Sequence, residues 1–420
     1  MIQKLKKLFS ALLGFSVVLL AVQTFYPDEF DFITDYWDGN YTEESQFKVS
    51  GALRCDGNWV HTYKQLHEQT LKSSKRERKY LVYYCKGHSA GCGGYGNRMM
   101  GIISTFYLAV LTNRTFLIHW GGPEKFDQYF KPNMIDWTFD ERRYKGLRSR
   151  DNRWGLENHP GYERQVILRQ KNFLKWAENT NIEGYLNEPV ERISTIWYFA
   201  PQIWNNPFLK KRAKEVGLPL PRKDYPYGMI GCAMKFLFKK SRYLVKAFRK
   251  AKQALDSRER PFIGIHIRTS DHHFGINNKD SFRTREPRAV FACAQRIENA
   301  LKRKNHLLKG KTFTWFLAAD DKNVKLEALR RYPSNVVTLD INPNHMEYTS
   351  RYKDVFRDLL LDQLLLLECD FFVPTRDSTF SYMVIGTRHF PHTSLVFGEK
   401  CNLNEREVSL SAPLYSHITN

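Results

Sequence analysis

The chain reads as an α/β protein with two Rossmann-like, parallel-sheet halves facing each other across a cleft, and two stretches of alternation carry that reading. In the first, Leu81–Cys85 (LVYYC) is a short β-type run, the glycine loop GCGGYGNR follows, MMGIISTFYLAVLT is an apolar stretch of helix length, and TFLIHW is a second strand. Strand, glycine loop, helix and strand make a βαβ unit, which implies a parallel, buried sheet. In the second, strands are expected at Phe262–Ile267 (FIGIHI), Thr312–Ala319, Asn335–Leu339 and Asp370–Val373. Helices are expected between them at Arg288–Lys304, Lys322–Tyr332 and Tyr352–Glu368.

The N-terminus sets the compartment. Residues 1–7 form a short basic tail, and Leu8–Tyr26 is an apolar run that would span about 28 Å as a helix. Lys4, Lys6 and Lys7 precede it and Asp28, Glu29 and Asp31 follow, so a signal anchor at 8–26 would leave the remainder luminal or extracellular. A cleaved signal peptide is the competing reading, but no clear small-x-small cleavage site follows the run. Residues 27–75 are polar and aperiodic and read as a stem; 76–245 and 246–420 are the two expected domains. Within the first, 121–230 reads as loops and helices, and Ala233–Leu255 as one basic amphipathic helix.

The seven cysteines then lie on the oxidising side, and their odd number leaves at least one thiol unpaired. Cys369, at the end of LLLLEC, is the candidate for that thiol, and Cys85 with Cys92 reads as a loop clip. Sequons at Asn40 and Asn113 agree with a secretory route. The net charge of +21 calls for an anionic partner without choosing among nucleic acid, membrane, phosphorylated cofactor and acidic substrate.

Ligands of open α/β sheets bind beyond the carboxyl ends of the strands. FIGIHI runs out into Arg268, Thr269, Ser270 and Asp271, and His266 and Arg268 share one face of it. The guanidinium there either chelates phosphate or pairs with Asp271 or a neighbouring carboxylate. The next strand ends in Asp320 and Asp321, suited to a sugar hydroxyl, to basic residues or to capping the following helix. Asp362 stands in LLLDQLLLLE, where an unpaired charge is costly. It needs donors: the N1–H and N2–H2 edge of a guanine, or an internal Arg such as Arg351 or Arg357. After DFFVP, the turn TRDSTF offers Ser378 and backbone amides to a phosphate, or Asp377 or Ser378 as an ordinary N-cap.

These motifs resemble the superfamily of GDP-fucose-dependent fucosyltransferases that includes α1,6, α1,2, plant xyloglucan-type and bacterial nodulation enzymes. The resemblance covers residues 91–118 and a second block from FIGIHIRTSD through FLAADD to LLLDQLLLLECDFFVPTRDSTF. It implies a GT-B fold, a C-terminal GDP-fucose domain and an N-terminal acceptor-side domain whose loop includes Gly94, Gly96, Asn97 and Arg98. Carried over by position, His266 and Asp362 contact the guanine nucleoside and Arg268 the pyrophosphate. Asp320 and Asp321 line the donor region, Ser378 and Thr379 hold a phosphate, and Arg268 with Asp271 forms the catalytic pair. Two positions depart from the family pattern: Thr269 replaces a second Arg, and Ile276 replaces a candidate base. Asp271, His272, Asp280 and Glu286 stay open as bases.

The expected reaction is an inverting transfer of L-fucose from GDP-β-L-fucose to a glycan hydroxyl by a type II Golgi membrane enzyme. No metal is expected, because the chain has no DxD motif. The alternatives are another GDP-sugar or a luminal glycan-binding protein without activity. A sulfotransferase fits GCGGYGNRM poorly, and no nucleic-acid module is present.

Overall fold

The computed structural model describes residues 55, 57–74, 77–87, 92–122, 124–218, 227–269, 287–341, 354–375, 378–388 and 401, all within the unit Leu53–Asn420. The expectations for the anchor, for Asn40, for Arg351, for Asp377 and for Asp271, His272, Ile276, Asp280 and Glu286 lie outside these residues. Among the described residues no helix is long and apolar enough to cross a membrane.

Helix α1 (Asn58–Lys72) lays Trp59, Tyr63 and His67 into the first core. Their spacing of four is a helical stripe, so the expected stem is corrected: 58–72 is built into the fold. Tyr63 Oη donates to Arg114 O at 2.8 Å, and His67 Nε2 lies 3.2 Å from Phe116 O, tying α1 to the strand it covers. The expected βαβ unit follows as β1 (Tyr80–Tyr84), α2 (Tyr95–Leu111) and β2 (Thr115–His119). Every α2 residue except Asn97 is buried, as a helix with apolar residues on all sides requires.

Next come β3 (Phe130–Pro132), β4 (Ser149–Arg153), α3 (Val166–Asn179), α4 (Ile182–Tyr185) and β5 (Val190–Ser194). The first sheet is parallel in the order β2-β1-β5-β4, so the loop-and-helix reading of 121–230 is corrected by three strands, β3 and the sheet strands β4 and β5. Their charges hid them. Glu191 of β5 is fully buried, and its carboxylate accepts from Arg150 at 3.0 and 2.8 Å, from Asn152 at 2.7 Å and from the Glu188 amide at 2.9 Å. A buried carboxylate is tolerated only when satisfied in this way, and here it locks the edge strand β4 in place.

Helices α5 (Ala200–Asn205), α6 (Pro207–Glu215) and α7 (Met229–Leu237) complete this half, with β6 (Phe238–Lys240) and α8 (Arg242–Asp256) after them. The single helix expected over 233–255 is therefore corrected to helix, strand and helix. Antiparallel pairing of β6 with β3 breaks it, and Ser241 restarts it by accepting from the Leu244 amide at 3.1 Å. The expected domain boundary after residue 245 falls inside α8.

The second half contains β7 (Phe262–Ile267), α9 (Pro287–Lys304), β8 (Thr314–Ala319), α10 (Lys322–Arg331), β9 (Val336–Val337), α11 (Val355–Leu367), β10 (Phe371–Val373) and α12 (Thr379–Thr387). Its sheet is parallel in the order β10-β7-β8-β9. Helices α11 and α12 straddle the halves: Phe356, Leu360, Leu361 and Met383 enter the first core, while Leu365, Leu366, Val384 and Ile385 enter the core beneath the second sheet. Disulfides join Cys55 to Cys232, Cys85 to Cys92 and Cys293 to Cys401, and Cys369 is buried and free. The loop clip and the free thiol stand as expected.

Candidate functional site

The carboxyl ends of β7, β8 and β10 lie side by side, and one hydroxyl knits two of them. Thr375, two residues past β10, donates its Oγ1 to His266 O at 2.7 Å and accepts from the Arg268 amide at 3.0 Å. Its own amide donates to Ser381 Oγ at 3.0 Å, and that oxygen lies 2.7 Å from His266 Nδ1. The imidazole also packs on Phe380, with ring centroids 4.7 Å apart. Burial, and then the charge of Arg268, push the His266 pKa down to about 3, so the ring is neutral near pH 7.

Asp320 ends β8 and turns back to β7: its Oδ1 accepts from the Thr269 amide at 2.8 Å and from Thr269 Oγ1 at 3.0 Å. Arg268 Nη1 is 4.0 Å from Asp320 Oδ2, and the arginine side chain stays 26% exposed. At 4.0 Å the Coulomb attraction is present without the short bidentate geometry of a committed Arg–carboxylate pair. Both sequence readings of Arg268 therefore meet here: a neighbouring carboxylate is at hand, and part of the side chain is exposed at the strand end. Asp321 does what helix chemistry alone asks of it, capping α10 by accepting from the Asn323 amide at 2.8 Å.

Asp362 is buried in α11. Neither arginine suggested by the sequence is seen to serve it: Arg357 pairs with Asp354 and Asp358, and Arg351 lies outside the described residues. The cation beside it is Lys325 of α10, itself buried, 3.9 Å from Asp362 Oδ2 and donating to Leu339 O at 3.3 Å. Asp362 Oδ1 is buried without a hydrogen-bond partner. Burial raises the carboxyl pKa to about 7; Lys325 pulls it down and Asp358 pushes it up. An acceptor oxygen held dry and unpartnered is suited to a ligand bringing N–H donors.

Ser378 is the N-cap residue of α12 and is buried, but its side chain makes no capping bond. Against this helix start lies Gly96 of α2, so close that a Cβ there would come within 2.6 Å of Thr379 and 2.7 Å of the Phe380 amide. Only glycine permits that approach, which brings the first turn of α2 against the N-terminus of α12. The expected loop is thereby corrected: Gly94 is the N-cap residue of α2, and Gly96, Asn97 and Arg98 lie in its first turn, with Asn97 half-buried. Arg98 is fully buried, donating to the carbonyls of Gly93, Trp120 and Gly122 and lying over the Trp120 ring. Its guanidinium closes the glycine loop onto the β2 end. Asn113 is exposed in the turn after α2, where it accepts from Arg212 at 2.7 Å.

The sequence reading missed Thr269 as a ligand of Asp320, and it missed Lys325, Thr375 and Ser381. The last two stand in or beside the hydroxyl-rich turn singled out for Ser378. Lys325 left no signal, because a lysine on a charged helix normally faces water.

No family model matches the chain, and no curated protein matches it. Among solved structures, a mutant of Arabidopsis thaliana FUT1 in complex with GDP is similar at a TM-score of 0.51 and 15% identity, over 78% of this chain and 76% of that one. Fucosyltransferase NodZ from Bradyrhizobium gives a TM-score of 0.42 at 13% identity, over 73% of this chain and 93% of that one. POFUT1 in complex with GDP gives 0.37 at 16% identity, over 76% and 97%. The chain shares the α/β fold with parallel sheets of FUT1, and at the level of fold the resemblance drawn from the motifs is borne out.

Proposed function

We propose that the chain is an inverting fucosyltransferase that moves L-fucose from GDP-fucose to a glycan hydroxyl. The observation that carries the reading is the constellation at the carboxyl ends of β7, β8 and β10, on a fold shared with a fucosyltransferase whose structure holds GDP. On this reading Asp362 Oδ1 takes the guanine N–H edge, and His266, held neutral, faces the nucleoside. Arg268 meets the pyrophosphate and, with the α12 N-terminus at Ser378 and Thr379, stabilises charge building on the leaving group. The acceptor lies on the side of the segment that carries Gly94, Gly96 and Asn97. The base is assigned to the segment that carries Asp271, and the transfer runs without a bridging metal, in keeping with the lack of a DxD motif. A luminal, Golgi-membrane setting is supported by the apolar run at 8–26, the sequons and the three disulfides.

The test is GDP release by the full chain from GDP-fucose, GDP-mannose and UDP-sugars over a glycan array, with and without EDTA. GDP-fucose turnover that survives EDTA is expected; turnover confined to another donor contradicts the assignment.

A further inference from the structure

Helix α11 carries Asp362 but is anchored from the other half of the molecule. Its N-cap residue, Asp354, has φ of 69° and supplies no side-chain cap. The Phe356 amide is taken instead by Glu124 Oε1 at 2.8 Å, from 232 residues earlier, and Tyr129 donates its phenol to the other oxygen of Glu124. Seven residues after Phe356, two turns along and on the same face, Gln363 Oε1 accepts from Tyr95 Oη at 2.6 Å. Tyr95 is buried, and burial holds its phenol protonated and donating. Leu360, between the two attachments, packs in the first-half core.

A helix pinned at two points on one face can neither slide nor turn, and a register change of one residue would rotate its side chains by about 100°. Asp362 precedes Gln363 and therefore projects from the adjacent face, toward Lys325. We propose that Tyr95 and Glu124 are positioning residues that aim Asp362 at the guanine edge, so that base discrimination in the second half is set by side chains of the first. The proposal rests on the donor-site reading above. It also links the glycine loop to nucleotide recognition, because Tyr95 directly follows Gly94.

The test is titration of the full chain with GDP and with IDP, which lacks the 2-amino donor, reading the ratio of the two Kd values. Wild type is expected to favour GDP, Asp362→Asn to abolish the preference, and Tyr95→Phe to cut it about 5- to 10-fold, the worth of one buried hydrogen bond. Gln363→Glu, which keeps an acceptor for Tyr95, is expected to retain the preference, and Gln363→Leu to lose it, with melting temperatures recorded for each. Should Tyr95→Phe fail to fold, Glu124→Leu, which removes the acceptor of the Phe356 amide, supplies the same readout from the other attachment. A preference lost in Asp362→Asn but unchanged in Tyr95→Phe, Gln363→Leu and Glu124→Leu overturns the positioning role. Wild type that ignores the 2-amino group overturns the donor-site reading itself and this proposal with it.

Discussion

Each half of the molecule has an arginine on the segment that follows the first strand of its parallel sheet, and the two are put to opposite uses. Arg98 follows the glycine loop after β1, is fully buried and holds three backbone carbonyls. Arg268 follows β7, is one-quarter exposed and stands 4.0 Å from the Asp320 carboxylate. Residue type and position after a strand are therefore not enough to assign chemistry; the decisive quantity is whether the guanidinium is consumed by its own backbone. In the first half the buried Glu191 carboxylate is satisfied four times over, while in the second Asp362 keeps one buried oxygen without a hydrogen-bond partner and the Arg268 side chain is partly exposed.

The comparison breaks most sharply at Arg98. Arg98→Ala removes charge-assisted bonds to carbonyls that no water can replace, and is expected to cost about 3–5 kcal/mol of stability. Chemical unfolding reads this directly; a variant that folds normally but loses acceptor use would move Arg98 from scaffold to site. Arg268→Lys is expected to do the reverse. Turnover of GDP-fucose should fall about 100-fold, or about 2.7 kcal/mol of transition-state stabilisation, with the melting temperature unchanged, because a point charge cannot reproduce a two-donor grip.

The smallest effect is a pH dependence at Asp362. Its folded pKa of about 7 lies above that of the unfolded chain, so its contribution to folding is greatest at low pH and is lost as pH rises through 7. Guanine donors favour the ionised form, so GDP binding should release a proton and weaken up to about tenfold per pH unit below 7. Asp362→Asn should flatten the profile. Calorimetry in two buffers of different ionisation enthalpy measures the released proton.

Much of the second half was legible because its strands are short, apolar and buried on both faces. FIGIHI is β7 from end to end, and the strand-end rule led to His266, Arg268 and Asp320. The expected Asp321 cap is local and so was readable. What the sequence hid depends on distant partners. Polar strands such as β4 look like loops until Arg150 finds Glu191, and α1 passed for stem because its stripe of Trp59, Tyr63 and His67 is sparse among polar residues. Lys325 and Thr375 gain their roles from residues 37 and 109 positions away in the chain, contacts that no local periodicity encodes.

On the proposed function, the strand ends of the second half hold a GDP-sugar through Arg268. The most direct measurement is GDP release from GDP-fucose over a glycan array by the full chain, wild type beside Arg268→Lys. Turnover by wild type and a loss of about 100-fold in a variant that melts at the same temperature are expected; near-normal turnover in Arg268→Lys would contradict the role given to this arginine.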